Sequence, residues 1–428
     1  MNPSRNNDTR FSISSIVEPE EVGFSSERIG RIQPAMQQYI DRKDIQGVVT
    51  LVARHGRVMH FEAQGLMDVE ANIAMSKDTI FRICSTTKPI TSVATLILYE
   101  EGRLQLDDPI ARYLPTFRNQ RVAPLIELPG EHPWGSPIAR GGRSARAIRE
   151  VNIRDCLTHT AGLAGVRMAT AVQGRPIVTS ETQLATPGPT VEELLERWAQ
   201  APLSYQPGTV WDYGMGIDIV GVVIEVITGK PLEEFLKEKI FKPLGMPDSF
   251  FNLPQEKASR LAILYEPDQA NNWQISRVSN PNCRGGNLPA MGGGGLLSTV
   301  PDYARFAQML LNRGVLGNVR ILGRKTVELM TTNHIGNLPV NLMASGYNIG
   351  SGYGFGLGVS VRTDLAAPLT LGSVGTYGWG GAFLLWYFAD PKENMFGLLF
   401  SQVKNHQQNP RIMIQQEFER LVYQALID

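Results

Sequence analysis

Strand-like runs gather at the two ends of this chain, and helical periodicity fills the stretch between them. Near the start, GVVTLVARHGRVMHFEAQG holds two β-rich runs around His55-Gly56, the signal of a hairpin. Near the end, GFGLGVSV precedes AFLLWYFADPKENMFGLLFSQ, two further strands that turn around Asp390-Pro391-Lys392-Glu393-Asn394. Strands at both ends with helices between point to one sheet assembled from distant segments. The expected class is α/β in the α+β sense: an antiparallel sheet flanked by helices, with a mainly helical domain inserted. Residues 1–84 and 290–428 are expected to form the sandwich domain, and 85–289 the insertion.

The helical stretches carry their own punctuation. Ser25-Ser26 and Glu27 open ERIGRIQPAMQQYIDRK, where Ile29, Ile32, Met36 and Ile40 recur at three- and four-residue steps, as on an amphipathic helix. DTIFRI reads as a short strand. It leads into STTKPITSVATLILYEEGRL, a helix with Ser85 as N-cap and Pro89 in the first turn, where its missing N–H matters little. VNIRDCLTH, TVEELLERWAQA, MGIDIVGVVIEVITG and PLEEFLKEKIFKPLG follow, with Gly229 and Gly245 where helix ends favour glycine. MGGGGLL at 291–297 lacks the strand context and lysine of a phosphate loop and reads as a flexible turn before the helix VPDYARFAQMLLNRG. PRIMIQQEFERLVYQALID is the last helix, and 126–146, rich in Gly, Pro and Arg, reads as a long surface loop.

Charge and composition exclude several classes of function. Lys+Arg 41 against Asp+Glu 41 leaves no broad electrostatic reason to bind nucleic acid or an anionic membrane. No apolar run reaches the roughly 18 residues of a membrane span, and MNPSRNNDTRFSISSIVEPEE has no signal-peptide core. Cys84, Cys156 and Cys283 are odd in number and widely spaced, which argues against a disulfide framework or a metal knuckle. A cytoplasmic protein without metal or other cofactor is the expectation.

Two Ser-x-x-Lys pairs occur, about what chance supplies in a chain of this length. Ser401-Gln402-Val403-Lys404 follows a strand and runs into turn-forming NHQQNP, so its lysine need not face its serine. Ser85-Thr86-Thr87-Lys88 opens a helix, where residues i and i+3 share a face and the N-terminal N–H groups favour developing negative charge. A serine needs a base to become a nucleophile, and a lysine serves as one when its surroundings favour the neutral amine. Taken alone, the segment reads as an ordinary capped helix start. No G-x-S-x-G elbow or H-E-x-x-H motif offers another mechanism, and His159 in LTHTAGL reads as a packing or hydrogen-bonding residue.

Longer stretches change the balance. FRICSTTKPITSVATLILYEEGRLQLDDPIARYLP, IRDCLTHTAGL, PGTVWDYGMGIDIVGVVIEVITGKPLEEFLKEKIFKPLGM and MGGGGLLSTVPDYARFAQMLL resemble, in order, the serine β-lactamase and penicillin-binding protein superfamily. Within it the chain is most similar to the family VIII carboxylesterases, and the resemblance runs from about residue 20 to 425. It implies a β-lactamase/transpeptidase-like fold, with Ser85 as the acylated nucleophile, Lys88 as its base and Tyr213 of WDYGM as the tyrosine that also contacts the nucleophile. GWGGAF places Trp379-Gly380-Gly381 where β-lactamases carry K-T-G, and the backbone N–H groups of Ser85 and Ala382 form the implied oxyanion hole.

Two departures bear on the substrate. β-Lactam-directed members meet a substrate carboxylate with the K-T-G lysine and its amide with the asparagine of Y-x-N. This chain has Trp379 and Met215 there, so its pocket is expected to favour uncharged acyl esters over anionic β-lactams. The resulting expectation is a serine carboxylesterase acting on short-to-medium acyl esters, with Trp379, Gly380, Gly381 and Met215 against the substrate. A β-lactamase, a D,D-peptidase or an acyltransferase of the same fold is the alternative, and a non-catalytic ligand-binding module the least favoured. The expected partner is a small-molecule ester.

Overall fold

The computed structural model describes residues 11–123, 125–127, 138–140, 144–163, 190–268, 272–276, 291–340, 349–404, 409 and 411–428. Cys283 and most of the 126–146 stretch lie outside them. Eight strands form the main sheet: β1 (Gly47–Arg54), β2 (Arg57–Asp68), β3 (Ile73–Ala74), β4 (Tyr353–Phe355), β5 (Ser360–Arg362), β6 (Tyr377–Gly381), β7 (Leu385–Asp390) and β8 (Met395–Phe400). Their order is β4-β5-β6-β7-β8-β1-β2-β3, antiparallel throughout. The two chain ends meet where Val49 pairs with Phe400 and Arg54 with Met395. The hairpin read at His55-Gly56 closes on Arg54↔Arg57, with both turn residues at positive φ, as a tight two-residue turn requires.

Strand β1 is buried at every position, because helices cover both faces of the sheet. On one face Val48, Val52, Phe388, Met395 and Leu399 pack under α1 (Ile32–Asp41) and the C-terminal α6 (Ile414–Tyr423). On the other, Val49, Leu51, Phe396, Leu398 and Phe400 meet α5 (Val300–Leu311) and α2 (Thr87–Glu100). Each such fully buried side chain contributes about 1.5–3 kcal/mol. The expected single helix from Glu27 is instead two pieces, Ser26–Ile29 and α1. The break lets Pro34 fall in the first turn of α1, where its absent N–H removes no helical bond.

Between the strand groups stand α2, the Ile153–Leu157 helix, α3 (Val191–Gln200) and α4 (Gly216–Thr228). Helix α4 ends on Gly229 at φ +69°, and the Leu232–Leu244 helical run ends on Gly245 at φ +68°. No helix among the described residues is long and apolar enough to cross a membrane.

Candidate active site

The chain reaches Ser85 through a sharp bend. Short strand Phe81–Arg82 pairs with Leu297–Ser298, and Cys84 then turns the backbone at φ +48°, a region non-glycine residues rarely adopt. Such a residue costs on the order of 1–3 kcal/mol and persists where its surroundings impose it. Here Ile83 N–H donates to the Leu296 carbonyl, and the Tyr303 hydroxyl on α5 donates to the Thr86 carbonyl at 3.0 Å. Burial pushes the Tyr303 hydroxyl well above the ordinary phenol range, so it stays protonated and a donor.

Ser85 is not an N-cap. It lies in the 3-10 turn Cys84–Thr86, and α2 begins at Thr87 without a side-chain cap. Its Oγ is engaged elsewhere: it accepts from the Tyr213 hydroxyl at 2.7 Å and from Lys88 Nζ at 3.2 Å. The i, i+3 geometry brings Lys88 over, as the spacing suggested. Its side chain is also held by the Gly293 carbonyl, 2.5 Å from Nζ, and lies 4.9 Å from the centre of the Tyr213 ring. Lys88 is 4% exposed and Tyr213 1%, while Ser85 is half-buried.

Tyr213 is positioned by His159, read from the sequence as a packing or hydrogen-bonding residue. His159 accepts the Asp212 N–H on its carbonyl at 2.8 Å and the Gly214 N–H on Nδ1 at 3.3 Å, one bond on each side of Tyr213. The His159 ring also packs 4.5 Å from that of Tyr213, centroid to centroid. Trp211 and Phe355 complete this aromatic cluster.

Strand β6 supplies the opposite wall. A Cβ on Gly381 would stand 2.7 Å from the Ile83 carbonyl oxygen, so only glycine lets the strand run this close to the segment that carries Ser85. Gly380 and Ala382 are half-buried beside it. Trp379 is 7% exposed, its ring 5.6 Å from Tyr213 and edge-on to Phe355 at 5.1 Å, so it supports the tyrosine as well as bounding the site. Met215, half-buried, directly precedes α4.

The tetraglycine stretch differs most from its reading as a flexible turn. Gly292 and Gly293 are buried, and a Cβ on Gly292 would lie 2.3 Å from the Ile217 carbonyl oxygen and 3.0 Å from Gly221 Cα. Gly292 serves close packing of backbone on backbone and Gly293 a close approach to the Asp218 carboxylate, while Gly295 takes φ +91°; the stretch delivers a carbonyl to Lys88. Gly292→Ala is therefore expected to destabilise the fold by about 1–3 kcal/mol, measured by urea unfolding. The second Ser-x-x-Lys pair is structural: Ser401 donates to the Gly47 carbonyl at 2.7 Å, and Lys404 pairs with Glu266 at 2.9 Å.

A half-buried hydroxyl held between an amine and a phenol, beside an inner strand of an antiparallel sheet, marks the site of a serine hydrolase. The family model described as Beta-lactamase matches residues 32–419, and the chain belongs to that family. An uncharacterized protein of Mycobacterium tuberculosis is 34% identical over 86% of this chain and 89% of its own length. Esterase EstB of Burkholderia gladioli is 31% identical over 84% of this chain and 86% of its own. Among solved structures, that titled "EstCE1, a hydrolase with promiscuous acyltransferase activity" superposes with a TM-score of 0.74 at 26% identity, covering 93% of this chain and 99% of that one.

Proposed function

We propose that the protein is a carboxylesterase that hydrolyses short-to-medium acyl esters through an acyl-enzyme on Ser85. The observation that carries this reading is the convergence of the Tyr213 hydroxyl and Lys88 Nζ on Ser85 Oγ. Its similarity to Esterase EstB supports the ester as substrate. In the first half-reaction Ser85 Oγ bonds to the ester carbonyl carbon, and its proton passes to the Tyr213–Lys88 pair. A phenolate on Tyr213 would be stabilised by the ammonium lying over its ring. The N–H groups of Ser85 and Ala382 receive the oxyanion, an interaction whose loss typically costs about 100- to 1000-fold. The tetrahedral intermediate collapses as the same pair returns the proton to the departing alkoxide. Water then repeats the sequence on the acyl-enzyme, releasing the acid and restoring Ser85.

The neutral-substrate preference rests on Trp379 and Met215, which bring apolar surface where β-lactam-directed members bring a cation and an amide. The deciding assay compares p-nitrophenyl esters of two to eight acyl carbons with a chromogenic cephalosporin. Higher kcat/KM on the esters is expected; a strong preference for the cephalosporin overturns the proposal. In the same assay, Trp379→Lys should raise the ratio of anionic to neutral ester turnover by about tenfold or more, the size of a charge-assisted contact. An unchanged ratio would remove Trp379 from the specificity argument.

A further inference from the structure

One buried carboxylate faces the tetraglycine stretch and takes no direct part in the chemistry above. Asp218, in the first turn of α4 and 5% exposed, accepts the Gly293 N–H on Oδ1 at 3.0 Å. The carbonyl of the same Gly293 is the acceptor 2.5 Å from Lys88 Nζ. A single glycine thus connects carboxylate and amine, its N–H turned to one and its C=O to the other. A Cβ at Gly293 would fall 2.3 Å from Asp218 Oδ2, so no side chain fits between carboxylate and backbone. From α2, the Thr91 hydroxyl fastens the preceding residue, donating to the Gly292 carbonyl at 2.7 Å.

The orientation of Gly293 bears on the direction of the amine. With Nζ held by the Gly293 carbonyl, the long lysine side chain has a fixed end, and the same nitrogen stands 3.2 Å from Ser85 Oγ. Were the carbonyl to rotate away, Nζ would regain the rotamer freedom of an ordinary lysine and its aim at the hydroxyl would be lost. An aspartate in a first helical turn also favours the helix dipole, a purely structural role that predicts a loss of stability but no selective loss of serine reactivity.

We propose that Asp218 is a positioning residue for Lys88: by accepting the Gly293 N–H it holds the Gly293 carbonyl against Nζ and keeps the amine aimed at Ser85 Oγ. The inference rests on the proposed role of Lys88 and extends the machinery to α4 and the glycine stretch.

The test uses the full chain and reads the serine directly, through the rate of labelling by an alkyl fluorophosphonate, beside kcat and KM for a p-nitrophenyl ester and the melting temperature. Asp218→Ala is expected to slow labelling and kcat by about 10- to 100-fold, the effect of one lost hydrogen bond to a charged group, with KM within about threefold of the parent. Asp218→Asn, whose amide oxygen can still accept the Gly293 N–H, should recover labelling to within about threefold. Should Asp218→Ala fail to fold, Asp218→Ser draws the acceptor one bond back from the Gly293 N–H while leaving a polar group, and the same slowing is expected of it. Parent-rate labelling of a folded Ala or Ser variant overturns the proposal. So does a raised KM at unchanged kcat, or an Asn variant as slow as the Ala variant. A parent that is not labelled at all overturns the nucleophile assignment itself, and this inference with it.

Discussion

Ser85→Ala should lose ester turnover by about 10⁴- to 10⁶-fold and should no longer take up a serine-reactive phosphonate. The expectation follows from the geometry around one oxygen. Ser85 Oγ is the point on which the Tyr213 hydroxyl and the Lys88 amine converge, and removing it leaves neither an atom to acylate nor a proton to move. The fold should tolerate the change. Ser85 is half-buried, its 3-10 turn is held by backbone bonds and by Tyr303, and the lost contacts amount to about 1–2 kcal/mol. Intact-mass measurement decides the matter: one phosphonate adduct on the parent, none on the variant, and a melting temperature only a few degrees lower. An adduct that survives on the variant would mean that the nucleophile lies elsewhere.

Lys88→Met should lower kcat by about 10²- to 10⁴-fold, the range for removing a positioned general base, the role proposed for it above. Methionine keeps most of the apolar stem that lies buried beside the Tyr213 ring, so the packing loss is small. The change also leaves the Gly293 carbonyl without the Lys88 proton, a penalty of about 1–3 kcal/mol. Turnover and melting temperature measured together separate these effects. A well-folded Lys88→Met enzyme within about tenfold of the parent would show that Tyr213 alone carries the proton.

Much of the sheet was legible because local rules and long-range packing agree there. Turn residues at His55-Gly56 and at 390–394 close hairpins in the register that the apolar pattern requires. The spacing of Ser85 and Lys88 on one helical turn likewise survives into the structure. Legibility ends where partners distant in sequence decide the outcome. Ser85 has the composition of a cap, yet the bend at Cys84 and Tyr213, 128 positions away, turn its hydroxyl to a side-chain partner instead. Four glycines in a row look like freedom from within their own segment. The Ile217 carbonyl and Gly221, both on α4, turn that freedom into close contact. His159 could be read as a hydrogen-bonding residue, but its two bonds straddling Tyr213 depend on a loop that starts some fifty residues later. In each case the signal was a residue with unusual backbone liberty or a polar group in an apolar stretch, and the missing information was its partner.

The pairing of β1 with β8 has a consequence for the life of the chain before it is finished. Val49 waits for Phe400, so roughly 350 residues must be made before the centre of the sheet can close. At a synthesis rate of about 5–20 residues per second that is an interval of roughly 20–70 s. Throughout it the first hairpin presents an unpaired, mostly apolar strand edge, the kind of surface that chaperones bind and that drives aggregation. Such long-range closure also places the chain among slow folders. Shortening it from the C-terminal end past β8 would remove the partner of its most buried strand while leaving every residue of the Ser85–Lys88–Tyr213 cluster in the sequence.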